Sequence, residues 1–145
     1  MYQYSGCGLE GIFLKNGYTI VKTPYGEAVR IEDVEALHAA IAVDIVRQPL
    51  PMSGHQFRFL RKEQELTQAD CAALFRVDVQ TIANWEKRGK QEVPGPADYG
   101  MRLFYCQHAN VPVPARSVSP GSRPNESRAL EREEHDWVSH LEDAA

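Results

Sequence analysis

The chain opens with short apolar runs broken by turn signals. In GIFLKNGYTIVKTPYGEAVRI, residues 11–31, two apolar runs flank Asn16-Gly17. That dipeptide tolerates positive φ at both central positions, so it suits a type I′ hairpin turn. Pro24-Tyr25-Gly26-Glu27 is a second turn signal leading into a short run from Ala28 to Ile31. The pattern predicts a small antiparallel sheet of two or three strands within residues 1–31. A lone hairpin is marginal in water and needs something to pack on. The next segment supplies it. Val34, Leu37, Ile41 and Ile45 fall at spacings of three, four and four, which is one face of a helix. Glu32, Asp33 and Glu35 favour its start and Arg47 its end, and Pro49 stops it. His38, beside the apolar stripe, reads as a packed or half-exposed histidine, since no Cys or carboxylate cluster offers it partners at metal spacing.

The pattern then stays helical. Ser53 suits the N-cap of a helix running to about Glu65, with Phe57 and Leu60 on its buried side and Arg58, Arg61 and Lys62 mostly on other faces. LTQADCAALFRVDVQTIANWEKRG, residues 66–89, reads as two short helices joined by a tight turn. Thr67 with Asp70 approximates a capping box, and Ala69, Ala72, Ala73 and Leu74 make a compact helix. Val77 is the apolar turn residue, Asp78 the next cap, and Ile82 with Trp85 face inward. After a loop with two prolines, Pro96 suits the first turn of a last helix carrying Met101, Leu103, Phe104 and Tyr105.

From Asn110 the composition turns Pro- and Ser-rich, the mark of a flexible linker. From Glu126 onward seven acids stand against two arginines. Leu130, Trp137, Val138 and Leu141 are spaced to share one face of a short helix. This tail reads either as a frayed acidic end or as a helix that docks on a partner or on the chain itself.

Charge changes the picture next. The 145 residues carry a net charge of −4, so any contact with a polyanion must come from a local patch. Between residues 54 and 91 seven bases meet five acids, and the acidity lies largely beyond Asn110. Cys7, Cys71 and Cys106 are far apart and form no CxxC pair, which argues for free thiols in a reducing cytoplasm and against a zinc site. No stretch approaches 18 apolar residues. The histidines at 38, 55, 108, 135 and 140 form no nucleophile–base or paired-acid spacing, so no enzymatic activity, cofactor or metal is expected.

On the second helix of the 66–89 pair the outward set is Val79, Gln80, Thr81, Asn84, Lys87 and Arg88. Gln and Asn present a donor and an acceptor together, which matches the adenine edge in the major groove. Val79 and the Thr81 methyl suit a thymine methyl, and Lys87 and Arg88 suit phosphates. Gln68 stands at the start of the preceding helix, where a DNA backbone crosses.

The segment resembles the Xre/Cro/C1-type helix-turn-helix family, whose pattern is roughly LTQxxLAxxLGVSxxTIxxWExG. Leu66, Thr67, Gln68, Ala72, Phe75 next to Leu74, Val77, Thr81, Ile82, Trp85, Glu86 and, further on, Gly89 carry the likeness. RFLRKEQELTQ and VPGPADYGMRLFY, on either side, look like the flanking helices of the MqsA (YgiT-type) antitoxin regulators. The likeness spans about residues 53–108 and implies a compact five-helix domain that binds a palindromic operator as a dimer. It implies base contacts from Gln80 and Asn84 and a phosphate contact from Gln68. Two positions depart from it. Arg76 replaces the turn glycine, at a cost of about 1 kcal/mol if left-handed, with a phosphate contact as a potential gain. Cys71 replaces a leucine and acts as a small buried hydrophobe. YSGCG begins like a fragment of the zinc knuckle of those antitoxins, but one Cys cannot hold a structural zinc.

The expectation is an α+β chain. Residues 1–50 form a small sheet plus helix for dimerisation or partner binding, residues 53–108 a helix-turn-helix domain, and residues 109–145 a linker and flexible acidic tail. The expected function is a cytoplasmic, dimeric, sequence-specific DNA-binding regulator, an (auto)repressor, with operator DNA as partner. Its DNA-contacting residues are Gln68, Arg76, Val79, Gln80, Thr81, Asn84, Lys87 and Arg88. Two other readings remain. One is an antitoxin-type interaction module in which residues 1–50 or the acidic tail bind a partner protein. The other is a helix-turn-helix used only for packing.

Overall fold

The computed structural model describes residues 1–114, 126–134 and 136–143. The fold is mixed α+β, with strands followed by five helices and a closing pair of strands. In chain order these are β1 (Tyr2–Gln3), β2 (Ile12–Leu14), β3 (Tyr18–Thr23), β4 (Gly26–Ile31), α1 (Val34–Arg47), α2 (Gly54–Glu63), α3 (Gln68–Phe75), α4 (Val79–Glu86), α5 (Gly95–Ala109), β5 (Glu126–Glu133) and β6 (Asp136–Asp143). Most of the expected Pro/Ser linker, residues 115–125, lies outside the described residues. The chain divides into two units, one of residues 1–41 and 125–145, the other of residues 42–124.

The first unit holds two sheets. One is four-stranded in the order β1-β2-β5-β6, and the other is the two-stranded β3-β4. β2 pairs antiparallel with β1 but parallel with β5, in the register Ile12↔Arg128 to Leu14↔Leu130. The core is Ile12, Leu14, Leu37, Ile41, Ala129 and Leu130, all at most 1% exposed, with Tyr4, Leu9 and Trp137 closing it. The helical stripe of α1 is buried at Leu37 and Ile41 but exposed at Val34. His38 is half-buried and shares a 2.7 Å hydrogen bond with the Tyr4 hydroxyl.

Two expectations for this unit are corrected. Asn16-Gly17 does not close a hairpin; the β3–β4 turn is Pro24-Tyr25, between paired Thr23 and Gly26. Asn16 instead extends the ladder beyond β2. Its carboxamide oxygen accepts from the Arg132 N–H, and its NH₂ donates to the Arg132 carbonyl at 3.3 Å. Gly17 takes φ +74°, and a Cβ there would stand 2.6 Å from the Trp137 ring. The second correction concerns the tail, which is a β-hairpin over 126–143 rather than a helix. β2 is three residues long and buries Ile12 and Leu14, so it needs a neighbour on each side, and β5 supplies one. That pairing overrides the helical spacing of Leu130 and Trp137.

In the second unit the Ser53 cap read from the sequence forms as expected. Ser53 Oγ accepts from Gln56 N–H, and the Gln56 side chain accepts from Ser53 N–H, each near 3 Å. α2 buries Phe57 and Leu60 completely. Arg61, expected on another face, is buried as well. It falls four residues after Phe57 and so shares the inward face. α5 begins with Pro96 in its first turn and buries Met101 and Tyr105, while Leu103 stays exposed. Arg102 ties α5 to the preceding connector, donating to the carbonyls of Val46, Gln48 and Leu50 at 2.7–3.0 Å and to Asp98. Asp98 in turn accepts from Met52 N–H at 2.9 Å. Three carbonyls left without helical partners are satisfied by one side chain.

Candidate nucleic-acid interface

α3 and α4 are short, so their orientation depends on what fixes their ends and inner faces. At the start of α3, Thr67 and Asp70 exchange two 3.0 Å bonds between side chain and backbone N–H. The Thr67 N–H bond, helped by the Thr67 hydroxyl, holds the Asp70 carboxyl below the ordinary aspartate value. α3 ends at Arg76 in the left-handed conformation, φ 56° and ψ 48°. Val77 N–H then reaches back to the Ala72 carbonyl at 3.0 Å, and Val77 is half-buried. Asp78 stands at the N-cap of α4, but its side chain makes no capping bond, contrary to the expectation. Of the small residues expected to pack along α3, Ala72 is buried, whereas Ala69 and Ala73 are exposed.

The inner face of α4 is set by an aromatic cluster. Trp85 meets Phe57 and Phe75 edge-on, with ring centroids 5.7 and 5.8 Å apart, and Phe75 meets Phe104 at 5.2 Å. Such arrangements are worth about 0.5–1.5 kcal/mol each beyond their area. Ile82 is fully buried beside them. Two glycines permit the close packing. A Cβ on Gly100 would stand 2.6 Å from the Phe75 ring, and one on Gly54 would stand 2.5 Å from the Trp85 carbonyl. Free Cys71 is wholly buried, and desolvation, aided by the nearby Glu86 charge, pushes its thiol up to about 12. It therefore serves as an unreactive filler where the resemblance implies a leucine.

The contact that sequence reasoning missed is Arg61–Glu86. Arg61 Nε donates to Glu86 Oε2 at 2.6 Å and Nη2 to Oε1 at 3.0 Å, while Nη1 donates to the Leu66 carbonyl at 2.8 Å. Gln68 Nε2 adds a 3.2 Å bond to Glu86 Oε1, and Arg58 approaches the same oxygen at 3.8 Å. Glu86 thus joins α2, the α2–α3 turn, the start of α3 and the end of α4. Its one readable signal was the helical spacing of Arg61 from Phe57.

The outer face of α4 carries Val79, Gln80 and Asn84, all exposed, with Thr81 half-buried beside them. Gln80 Nε2 donates to Asn84 Oδ1 at 3.0 Å. Lys87 and Arg88 follow the helix and are exposed, and Arg88 Nη1 also reaches the Glu92 carbonyl at 3.0 Å. Arg76 is exposed at the α3–α4 turn, and Gln68 is half-buried at the start of α3. The eight expected residues therefore gather on α4, its two ends and the start of α3. Because Arg61 and Glu86 cancel each other internally, the exposed cations of this region are Arg58, Lys62, Arg76, Lys87, Arg88 and Lys90. Asp70, Asp78 and Glu65 are the exposed acids among them.

The chain matches no family model, no curated protein and no solved structure. Its chemistry rests on the geometry alone. An outward amide pair on a braced helix, flanked by cations, suits an edge of paired bases bordered by phosphates. No three of the described His, Cys, Asp and Glu residues stand close enough to share a metal ion. No described helix is long and apolar enough to cross a membrane.

Proposed function

We propose that the chain is a sequence-specific DNA-binding regulator that lays α4 in the major groove. The observation that carries this is the exposed Gln80–Asn84 pair on a helix whose opposite face is locked by Trp85 and Glu86. The Gln80–Asn84 pair meets base edges, with Val79 and Thr81 against thymine methyls. Lys87, Arg88, Arg76 and Gln68 contact phosphates. Acting as a dimer, two such helices would enter successive major grooves about 34 Å apart on a palindromic operator and block transcription. The test is selection of duplexes from a randomised library, followed by fluorescence anisotropy across a salt series. Selective binding that weakens steeply with salt supports the reading. A protein that retains no duplex at low salt refutes it.

A partner-binding role for the first unit is a second reading, favoured by one observation. The β3–β4 hairpin exposes Ile20 at 55% and Tyr25 fully, an apolar display without a described neighbour on it. If that hairpin binds a toxin-like protein, Ile20→Lys abolishes the complex and leaves DNA affinity unchanged.

A further inference from the structure

Gln80 and Asn84 lie four residues apart and share one face of α4. Their hydrogen bond has a direction. Gln80 donates one of its two amide N–H groups, and Asn84 accepts through Oδ1. This leaves the two side chains unequal. Gln80 keeps Oε1 and one amide N–H, an acceptor and a donor. That is the complement of adenine in the major groove, where N6–H donates and N7 accepts. Asn84 accepts through one lone pair of Oδ1, so that oxygen is shared with Gln80.

We infer that the pair reads DNA as one unit: Gln80 recognises a single adenine, and Asn84 is a positioning residue that holds the Gln80 amide in reading orientation. The inference rests on the DNA-reading proposal above and narrows its ligand to an operator with one A·T pair opposite Gln80. A glutamine side chain has three rotatable bonds, so an exposed one spreads over many orientations. A fixed acceptor four residues away removes part of that freedom before DNA arrives, which lowers the ordering cost of binding. Thr81 and Val79 flank the pair and supply apolar contact without competing for its hydrogen bonds. The charged neighbours Lys87 and Arg88 lie beyond the C-terminal end of the helix.

The experiment uses the full chain and the duplex it selects from a randomised library, with each base pair substituted in turn. The readout is the affinity ratio between the selected duplex and each variant, because a ratio is insensitive to uniform losses. Gln80→Ala should erase discrimination at one A·T pair, roughly a tenfold or greater change in that ratio. Replacing that adenine by 7-deazaadenine, which lacks N7, should reproduce much of the loss in the wild type and add little in Gln80→Ala. Asn84→Ala should lower the ratio at the same pair, and the double variant should lose no more there than Gln80→Ala alone. Asn84→Asp keeps an acceptor for Gln80, so it should preserve the ratio while its charge weakens every duplex alike. Thermal melts of each variant check that the exposed substitutions leave folding intact. If Asn84→Ala erases discrimination at a different pair, or leaves every ratio unchanged, the inference fails while the DNA-reading proposal stands. If the wild type selects no sequence, the DNA-reading proposal fails and the inference with it.

Discussion

Replacing Glu86 by Gln tests how the α3–α4 pair is held. Glu86 has a side chain 5% exposed and Arg61 one 9% exposed, so both charges are largely out of water. The substitution keeps the shape and one acceptor oxygen but removes the negative charge that accepts both Arg61 bonds and the Gln68 bond. Arg61 is then left as a buried cation with neutral acceptors alone, the Leu66 carbonyl and the remaining amide oxygen. Breaking a buried pair from one side typically costs about 3–5 kcal/mol. Arg58 and its 3.8 Å approach contribute little, since that side chain is half exposed and screened by solvent. Small domains are stable by about 5–15 kcal/mol in total, so the loss should be large and visible. Urea denaturation followed by Trp fluorescence and by far-UV circular dichroism measures it, with the slope checked for constancy. The double variant Arg61→Met/Glu86→Leu removes both charges and should be more stable than Glu86→Gln, because no orphan charge remains. A cost below about 1 kcal/mol for Glu86→Gln would refute the reasoning, by the scale expected of buried pairs. So would a double variant that is less stable than Glu86→Gln.

Three further outcomes follow from the packing. Gly17→Ala forces a Cβ into the Trp137 ring from a backbone at φ +74° and should destabilise the first unit by roughly 1–3 kcal/mol; Gly8→Ala, which has open space and a similar φ of +78°, controls for backbone strain. An equal loss in both variants would remove the steric argument. Native protein treated with a thiol reagent at mildly alkaline pH should label Cys7 and spare Cys71 until urea is added, since burial pushes the Cys71 thiol up to about 12; because that folded value is raised, the associated stability is fully present below the unfolded thiol range and is lost as pH rises from there through the folded value. Asp70 shifts the other way: its depressed folded value stabilises the protein above the ordinary aspartate range, so Asp70→Asn should flatten the loss of stability on acidification, read from melts between neutral and acidic pH.

What the sequence disclosed and what it hid divide by the distance between partners. The Ser53 cap and the Thr67–Asp70 pair were readable because capping partners lie three residues apart and the backbone geometry is local. The inward pair Ile82 and Trp85 was readable for the same reason. Arg61 was misplaced because its meaning depends on Glu86, 25 residues on. Asn16-Gly17 carried a valid local turn signal, but its carboxamide finds Arg132 across 116 residues. The tail was misread for a related cause. A two-stranded segment has no periodic apolar face of its own until β2 is beside it, and β2 lies more than a hundred residues earlier. The candidate interface was legible as a set of residues on one helix. The orientation of the Gln80–Asn84 bond was not, because either amide can donate.

Whether the outer face of α4 reads DNA is decided by anisotropy of the selected duplex over a salt series. Wild-type protein, Gln80→Ala and the Lys87→Ala/Arg88→Ala pair are compared. The account predicts that Gln80→Ala loses sequence preference with an unchanged salt slope. It also predicts that the double cation variant weakens all duplexes alike and lowers the slope by about 2 per α4 face. Salt slopes and preferences identical to wild type in both variants would contradict it.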